Sequence, residues 1–103
     1  MSSDNAIVIL KYIGSDEKLS FRANYVQAPQ NLRYSAYYVY EAFKNVPEWP
    51  NFSLADAYAT KLSKQYDEDL EYGVIICNLP NMTWEDVMEE AEYESYKYSD
   101  EQP

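Results

Sequence analysis

The sequence predicts a single α+β domain in the order β-β-α-α-β-α, a three-stranded, mostly antiparallel sheet packed by three helices. Three observations carry that prediction. Two β-rich apolar runs flank a polar turn near the N-terminus, three later segments repeat apolar residues at helical spacing, and one short apolar run separates the second helical segment from the third. With 103 residues, 47% apolar and 17% aromatic, the chain is long enough to bury a core without disulfides or metal. The domain is placed over residues 1–98, with residues 99–103 as a flexible acidic tail.

Residues 6–13 are β-branched and apolar, and Gly14-Ser15-Asp16-Glu17-Lys18 supplies a polar turn. Residues 19–26 then alternate Leu19, Phe21, Ala23 and Tyr25 with Ser20, Arg22 and Asn24, the pattern of a hairpin with one buried face. Ala28-Pro29-Gln30-Asn31 breaks the second strand. Residues 32–46 carry two periods: Leu32, Ala36, Val39, Tyr40 and Phe43 suit a helix, whereas Tyr34, Ala36, Tyr38 and Tyr40 would suit a strand. Strong helix formers in Glu41-Ala42-Phe43-Lys44 favour the helix, and Pro47 stops it.

The stiff loop Pro47-Glu48-Trp49-Pro50 leads to a second helix, with Ser53 as cap, Asp56 at the third helical position and Phe52 and Ala57 as a hydrophobic staple. Leu54, Tyr58, Leu62 and Tyr66 continue it at helical spacing. Residues 71–79 read as a buried strand, closed by Asn78-Leu79-Pro80-Asn81. The third helix repeats the capping syntax with Thr83 and Asp86, stapled by Met82 and Val87, and its narrow apolar side is Trp84, Val87, Met88, Ala91 and Ser95.

Composition removes most chemistry. The chain has no histidine, which excludes His-dependent nucleophilic catalysis and His-ligated zinc, and its two glycines, Gly14 and Gly73, cannot form a phosphate-cradling loop. The acids of residues 67–71 alternate like a calcium loop, but Tyr72 stands where the tight-turn glycine belongs and Asn78 where the twelfth-position glutamate belongs. No carboxylate is singled out as the acid of a paired-carboxylate hydrolase. The lone Cys77 lies in an apolar run and reads as a small buried hydrophobe. No catalytic, cofactor-binding or metal-binding residue is therefore assigned. There is no basic leader, no apolar run near the ~20 residues of a membrane span, and a reducing cytoplasm is the expected compartment. The sequons at Asn51 and Asn81 are read as chance, since Ser53 and Thr83 serve as caps.

Charge is the most informative feature. Residues 1–64 hold six acids and seven bases, whereas residues 65–103 hold twelve acids and one base, Lys97, so the last third carries more than the whole formal −10. One-sided loading speaks about partners rather than fold. Residues 85–94 place six acids on about 15 Å of helix, with Glu85, Glu89 and Glu92 along one side and Asp86, Glu90 and Glu94 along a neighbouring one. Rows of like charge repel, and a purely structural helix more often mixes signs.

Tyrosines accompany the acids: Tyr93, Tyr96 and Tyr98 on the helix, Tyr66 and Tyr72 around residues 67–71. Carboxylates meet Lys and Arg that otherwise hold phosphates, while tyrosines supply rigid area and stack on guanidinium groups. The candidate partner-binding set is Asp67, Glu68, Asp69, Glu71, Tyr72, Glu85, Glu89, Glu90, Glu92, Tyr93, Glu94 and Tyr96. Its expected partner is a basic nucleic-acid-binding protein or nuclease, with no direct contact to nucleic acid or membrane. The plainer alternative is an acidic face that only keeps the protein soluble. A second group, Tyr34, Tyr37, Tyr38 and Tyr40, has no acidic company and suits a homodimer interface.

No family motif is present. In composition the chain resembles the small acidic inhibitors that phages and mobile elements direct against host defence or DNA-handling enzymes. That resemblance implies a non-catalytic nucleic-acid mimic, for example an anti-CRISPR or anti-restriction protein. An immunity protein or antitoxin against a basic nuclease, and a Tyr-rich self-assembling protein, are the alternatives.

Overall fold

A computed structural model describes residues 4–14 and 16–100, except for the side chains of residues 80, 81 and 98–100. The α+β class is observed. Strands β1 (Asn5–Ile13), β2 (Leu19–Gln27) and β3 (Val74–Thr83) and helices α1 (Ala36–Phe43), α2 (Phe52–Gln65) and α3 (Trp84–Asp100) follow the expected order, with 3-10 turns at Pro29–Arg33 and Asp67–Asp69. The expected tail falls partly within α3, which runs to Asp100, and residues 101–103 lie outside the described residues.

The sheet order is β2-β1-β3. β1 pairs antiparallel with β2 but parallel with β3, so the sheet is mixed rather than mostly antiparallel. Helix lengths explain why. Trp49 bridges to Phe21, near the start of β2, so α2 begins at that end of the sheet. Its 14 residues return the chain by about 21 Å to the opposite end, where Glu71 and Tyr72 donate to the Asn5 carbonyl. β3 then has to run the same way as β1. Trp49 exchanges both backbone bonds with Phe21 and so adds a one-residue rung outside β2.

Helices cover both faces, and the hairpin is not half-solvated as its alternation suggests. On one face Ile7, Ile9, Phe21 and Ala23 meet Ala55 and Ala59 of α2, whose small side chains let the helix approach closely. On the other, Ala6, Val8, Leu10, Tyr12 and Val26 meet Leu32, Val39, Phe43 and Val87. β1 sits between the two layers, which accounts for its unbroken apolar run. Arg22 and Asn24, read as solvent-facing, lie under α1: Arg22 donates to the carbonyls of Phe43 and Val46, and Asn24 to that of Ala42. Each satisfies a carbonyl at the C-terminal end of α1 or just beyond it.

Boundaries moved where a local cap outcompeted the pattern. Residues 32–46 do not form one helix, because Ser35 caps α1 after the 3-10 turn. Asn51, not Ser53, caps α2, its Oδ1 accepting the Leu54 amide at 2.9 Å, and this shift takes Phe52 and Ala57 out of the staple positions. Leu54 is exposed, because α2 turns Ala55 and Ala59 to the sheet. The Thr83–Asp86 capping box forms as read, with both reciprocal bonds at 3.1 Å. β3 is not a buried strand: it is an edge, with Val74 43% and Ile76 60% exposed, because α2 packs chiefly on β1 and β2. Cys77 is half-buried against the α1–α3 layer, and that burial pushes its thiol pKa up. At the hairpin turn a Cβ on Gly14 would stand 2.5 Å from Ser20 Oγ and 3.1 Å from the Lys18 carbonyl oxygen, so a larger residue there has to displace the Ser20 side chain.

Candidate protein-interaction surface

α3 packs against α1 and β3, which leaves one side of it to solvent. Val87 and Ala91 are buried and point into the core; Glu85, Glu89, Glu92 and Tyr96, about half a turn away, form an exposed outer ridge. Tyr93 flanks that ridge and is also exposed, whereas exposed Glu90 lies nearer Val87, on the side of a cleft with Arg33 and Tyr34. Met88 and Ser95, placed on the apolar side by the sequence reading, are exposed as well. The acids do not converge: among the described residues no three carboxylates or thiols come together as metal ligands. None of the four acids Glu85, Glu89, Glu90 and Glu92 has an ion pair among the described residues.

Glu94 behaves differently from its neighbours. Its carboxylate accepts the Ser35 hydroxyl at 2.7 Å and the Ala36 and Tyr37 amides at 3.2 and 2.9 Å, while the Tyr38 amide donates to Ser35 Oγ. The first free amides of α1 are thus satisfied by a side chain from α3. Burial raises the Glu94 pKa, but the Ser35 hydroxyl, the two amides and nearby Lys97 outweigh it and hold it below its ordinary value. Glu94 joins two helices, and Asp86 is held in the Thr83 box.

Between α1 and α3 runs an open groove of about 450 Å³, lined chiefly by Tyr37, Tyr40, Met88, Glu41, Glu92 and Tyr96. It brings together residues that the sequence reading assigned to two separate surfaces. The tyrosines of residues 34–40 do not form one face. Tyr34 is 84% exposed, Tyr37 meets Tyr38 edge-on, and Tyr40 turns inward to Trp84 at 6.0 Å. Tyr34 lines a second cleft with Arg33, Glu90 and Glu94. Tyr72 reaches the neighbouring cleft, which also contains Arg33, and there the charges of Asp4 and Glu71 push its pKa up.

Asp67, Glu68 and Asp69 are placed apart from that helix pair. They form the exposed turn after α2, held by the Asn5 amide donating to the Asp69 carbonyl at 3.0 Å, and Glu71 is exposed just beyond. The fold gathers Glu85, Glu89, Glu92 and Tyr96 on one ridge, sets Tyr93 beside it and Glu90 in the cleft with Tyr34 and Glu94, and leaves residues 67–71 at the end of the sheet where β1 begins.

Sequence reasoning missed one cluster. Arg22 lies 4.0 Å over the Trp84 ring, its Nε donates to the Tyr12 hydroxyl at 2.7 Å, and its Nη2 stands 3.7 Å from Glu48. Tyr12 in turn donates to Glu48; burial first, then that bond, raises its pKa well above the ordinary phenol range. The cluster ties both hairpin strands to the loop before α2 and to the start of α3. A basic residue within an alternating strand gives no sign that the second face is covered.

No family model matches the chain, and neither a curated protein nor a solved structure matched it.

Proposed function

We propose that this protein is a non-catalytic inhibitor that offers the outer ridge of α3 to the basic, nucleic-acid-binding groove of another protein. The observation that carries this reading is the row Glu85, Glu89 and Glu92 ending in Tyr96, on a helix anchored by Glu94 and unrelieved by any basic partner among the described residues. An acidic ridge on a packed helix keeps its spacing, so it can meet a row of Lys and Arg without first being ordered. Tyr96 and the tyrosine-lined groove beside it supply contact area for guanidinium groups. An anti-defence role against a nuclease complex, encoded by a phage or mobile element, is the setting that best suits such a surface. Residues 67–71 form a separate acidic contact in this reading.

Capture from a cell lysate tests it, comparing the wild-type chain with a variant carrying Glu85→Gln, Glu89→Gln, Glu90→Gln and Glu92→Gln. A target of the proposed kind is retained by the wild type, lost with the variant, and released by competing duplex DNA or RNA. Its affinity falls steeply between ~50 and ~500 mM salt, as exposed charge pairs require. Equal capture by both chains, or retention indifferent to salt and polynucleotide, overturns the proposal.

A further inference from the structure

We infer that the outer edge of β3 is a self-association surface, where two copies of this chain join their sheets by antiparallel β3–β3 pairing about a two-fold axis. β3 ends the order β2-β1-β3, and its ladder with β1 determines which backbone groups remain free. Ile7 donates to the Gly73 carbonyl, so in the parallel register Ile75 and Cys77 turn their backbone groups toward β1. Val74, Ile76 and Asn78 turn theirs outward, and among the described residues nothing bonds to them from that side. The other edge of the sheet is closed at Phe21 by Trp49.

The occupant follows from the register and the charge. Free groups at residues 74, 76 and 78 set Ile76 opposite the partner's Ile76, and Val74 opposite the partner's Asn78, each position matched in reverse by its own copy. Val74 and Ile76 project on the face that α2 leaves open, so the two copies would bring four exposed apolar side chains together as direct and diagonal neighbours. Residues 73–79 carry no charge in a chain of net −10, so like-charge repulsion is least along this strand. Natural edges are usually guarded by Lys, Pro or an inward charge; in β3 Pro80 stands beyond the stretch Val74–Asn78 that would pair, and that stretch itself has none of these. A cationic partner finds no counter-charge there, whereas a second β3 finds its own donors, acceptors and apolar residues.

Sedimentation equilibrium at ~50 and ~500 mM NaCl tests the inference, and the wild type should show a concentration-dependent dimer that tightens with salt as the repulsion between copies is screened. That salt response has the opposite sign to the one expected for a cationic partner. Ile76→Lys sets two like charges opposite each other and should raise the dimer dissociation constant at least about tenfold, while Tyr34→Ser leaves it unchanged. The substituted side chain is 60% exposed, so the monomer keeps its fold. Amide exchange reads the interface directly: the backbone amide at position 76 is protected in the wild-type dimer and exchanges fast in the Ile76→Lys variant, whereas Ile75 and Cys77 stay protected in both. A wild type that remains monomeric at every concentration, or a dimer that survives Ile76→Lys with the position-76 amide exchanging fast, overturns the inference.

Discussion

Glu94 shows how one residue can leave the group that its sequence neighbours suggest. It sits in a run of acids, yet the hydroxyl of Ser35 and two α1 amides make it an internal ligand. Removing a helix cap costs about 0.5–2 kcal/mol, and Glu94→Ala should fall in that range by chemical denaturation. Because the folded pKa is lowered, the carboxylate contributes fully above its ordinary value of 4.5, and the contribution is lost as pH falls through the lower folded value. The gap in Tm between wild type and Glu94→Ala should therefore be constant near neutrality and close below about pH 4.5. A gap that persists under acid would mean the carboxylate does not cap α1. Arg22 is the second such residue. Arg22→Met keeps much of the aliphatic stem but removes the guanidinium stacked on Trp84 and the bonds to the Tyr12 hydroxyl and two carbonyls. A loss of about 1.5–3 kcal/mol follows from the usual worth of charged hydrogen bonds.

Among the elements, α2 and α3 start by different logic. The capping box at Thr83 and Asp86 was legible because both partners lie within four residues of one another. Asn51 and Ser53 compete for the same role at the start of α2, and the tertiary contact between Trp49 and Phe21 favours the earlier start. Asn51→Ala should cost about 1 kcal/mol and Ser53→Ala little, since Ser53 lies exposed within the first turn. The reverse ranking in thermal melts would restore Ser53 as the cap. α3 carries a different prediction. Its outer acids repel at three- and four-residue spacing, each like pair costing a few tenths of a kcal/mol. Glu85→Gln, Glu89→Gln and Glu92→Gln together should leave stability unchanged or slightly raised, while partner capture falls. Loss of stability in that variant would make the ridge a structural feature.

At the scale of the whole molecule, a net charge of −10 on 103 residues is a standing self-repulsion. Tm should rise between ~10 and ~300 mM NaCl as the Debye length shortens from about 30 to under 8 Å. Element identity and order were legible in the sequence, because period, turn residues and capping syntax are local properties. The acidic ridge was also legible, since one helix places residues 85, 89 and 92 on one side whatever it packs against. Three things were decided only by tertiary structure. Glu94 was drawn to α1 because two antiparallel helices set its carboxylate against free amides. Arg22 was buried because α1 returned over a strand face that alternation marks as solvated. β3 became an exposed parallel edge because α2 covers two strands and returns the chain to the end where β1 begins. The sequence alone thus determined the elements, their order and the outward acidic row, which depend on neighbours within about a turn of helix. Layer, edge and pairing depend on where distant segments meet, and no local spacing encodes that.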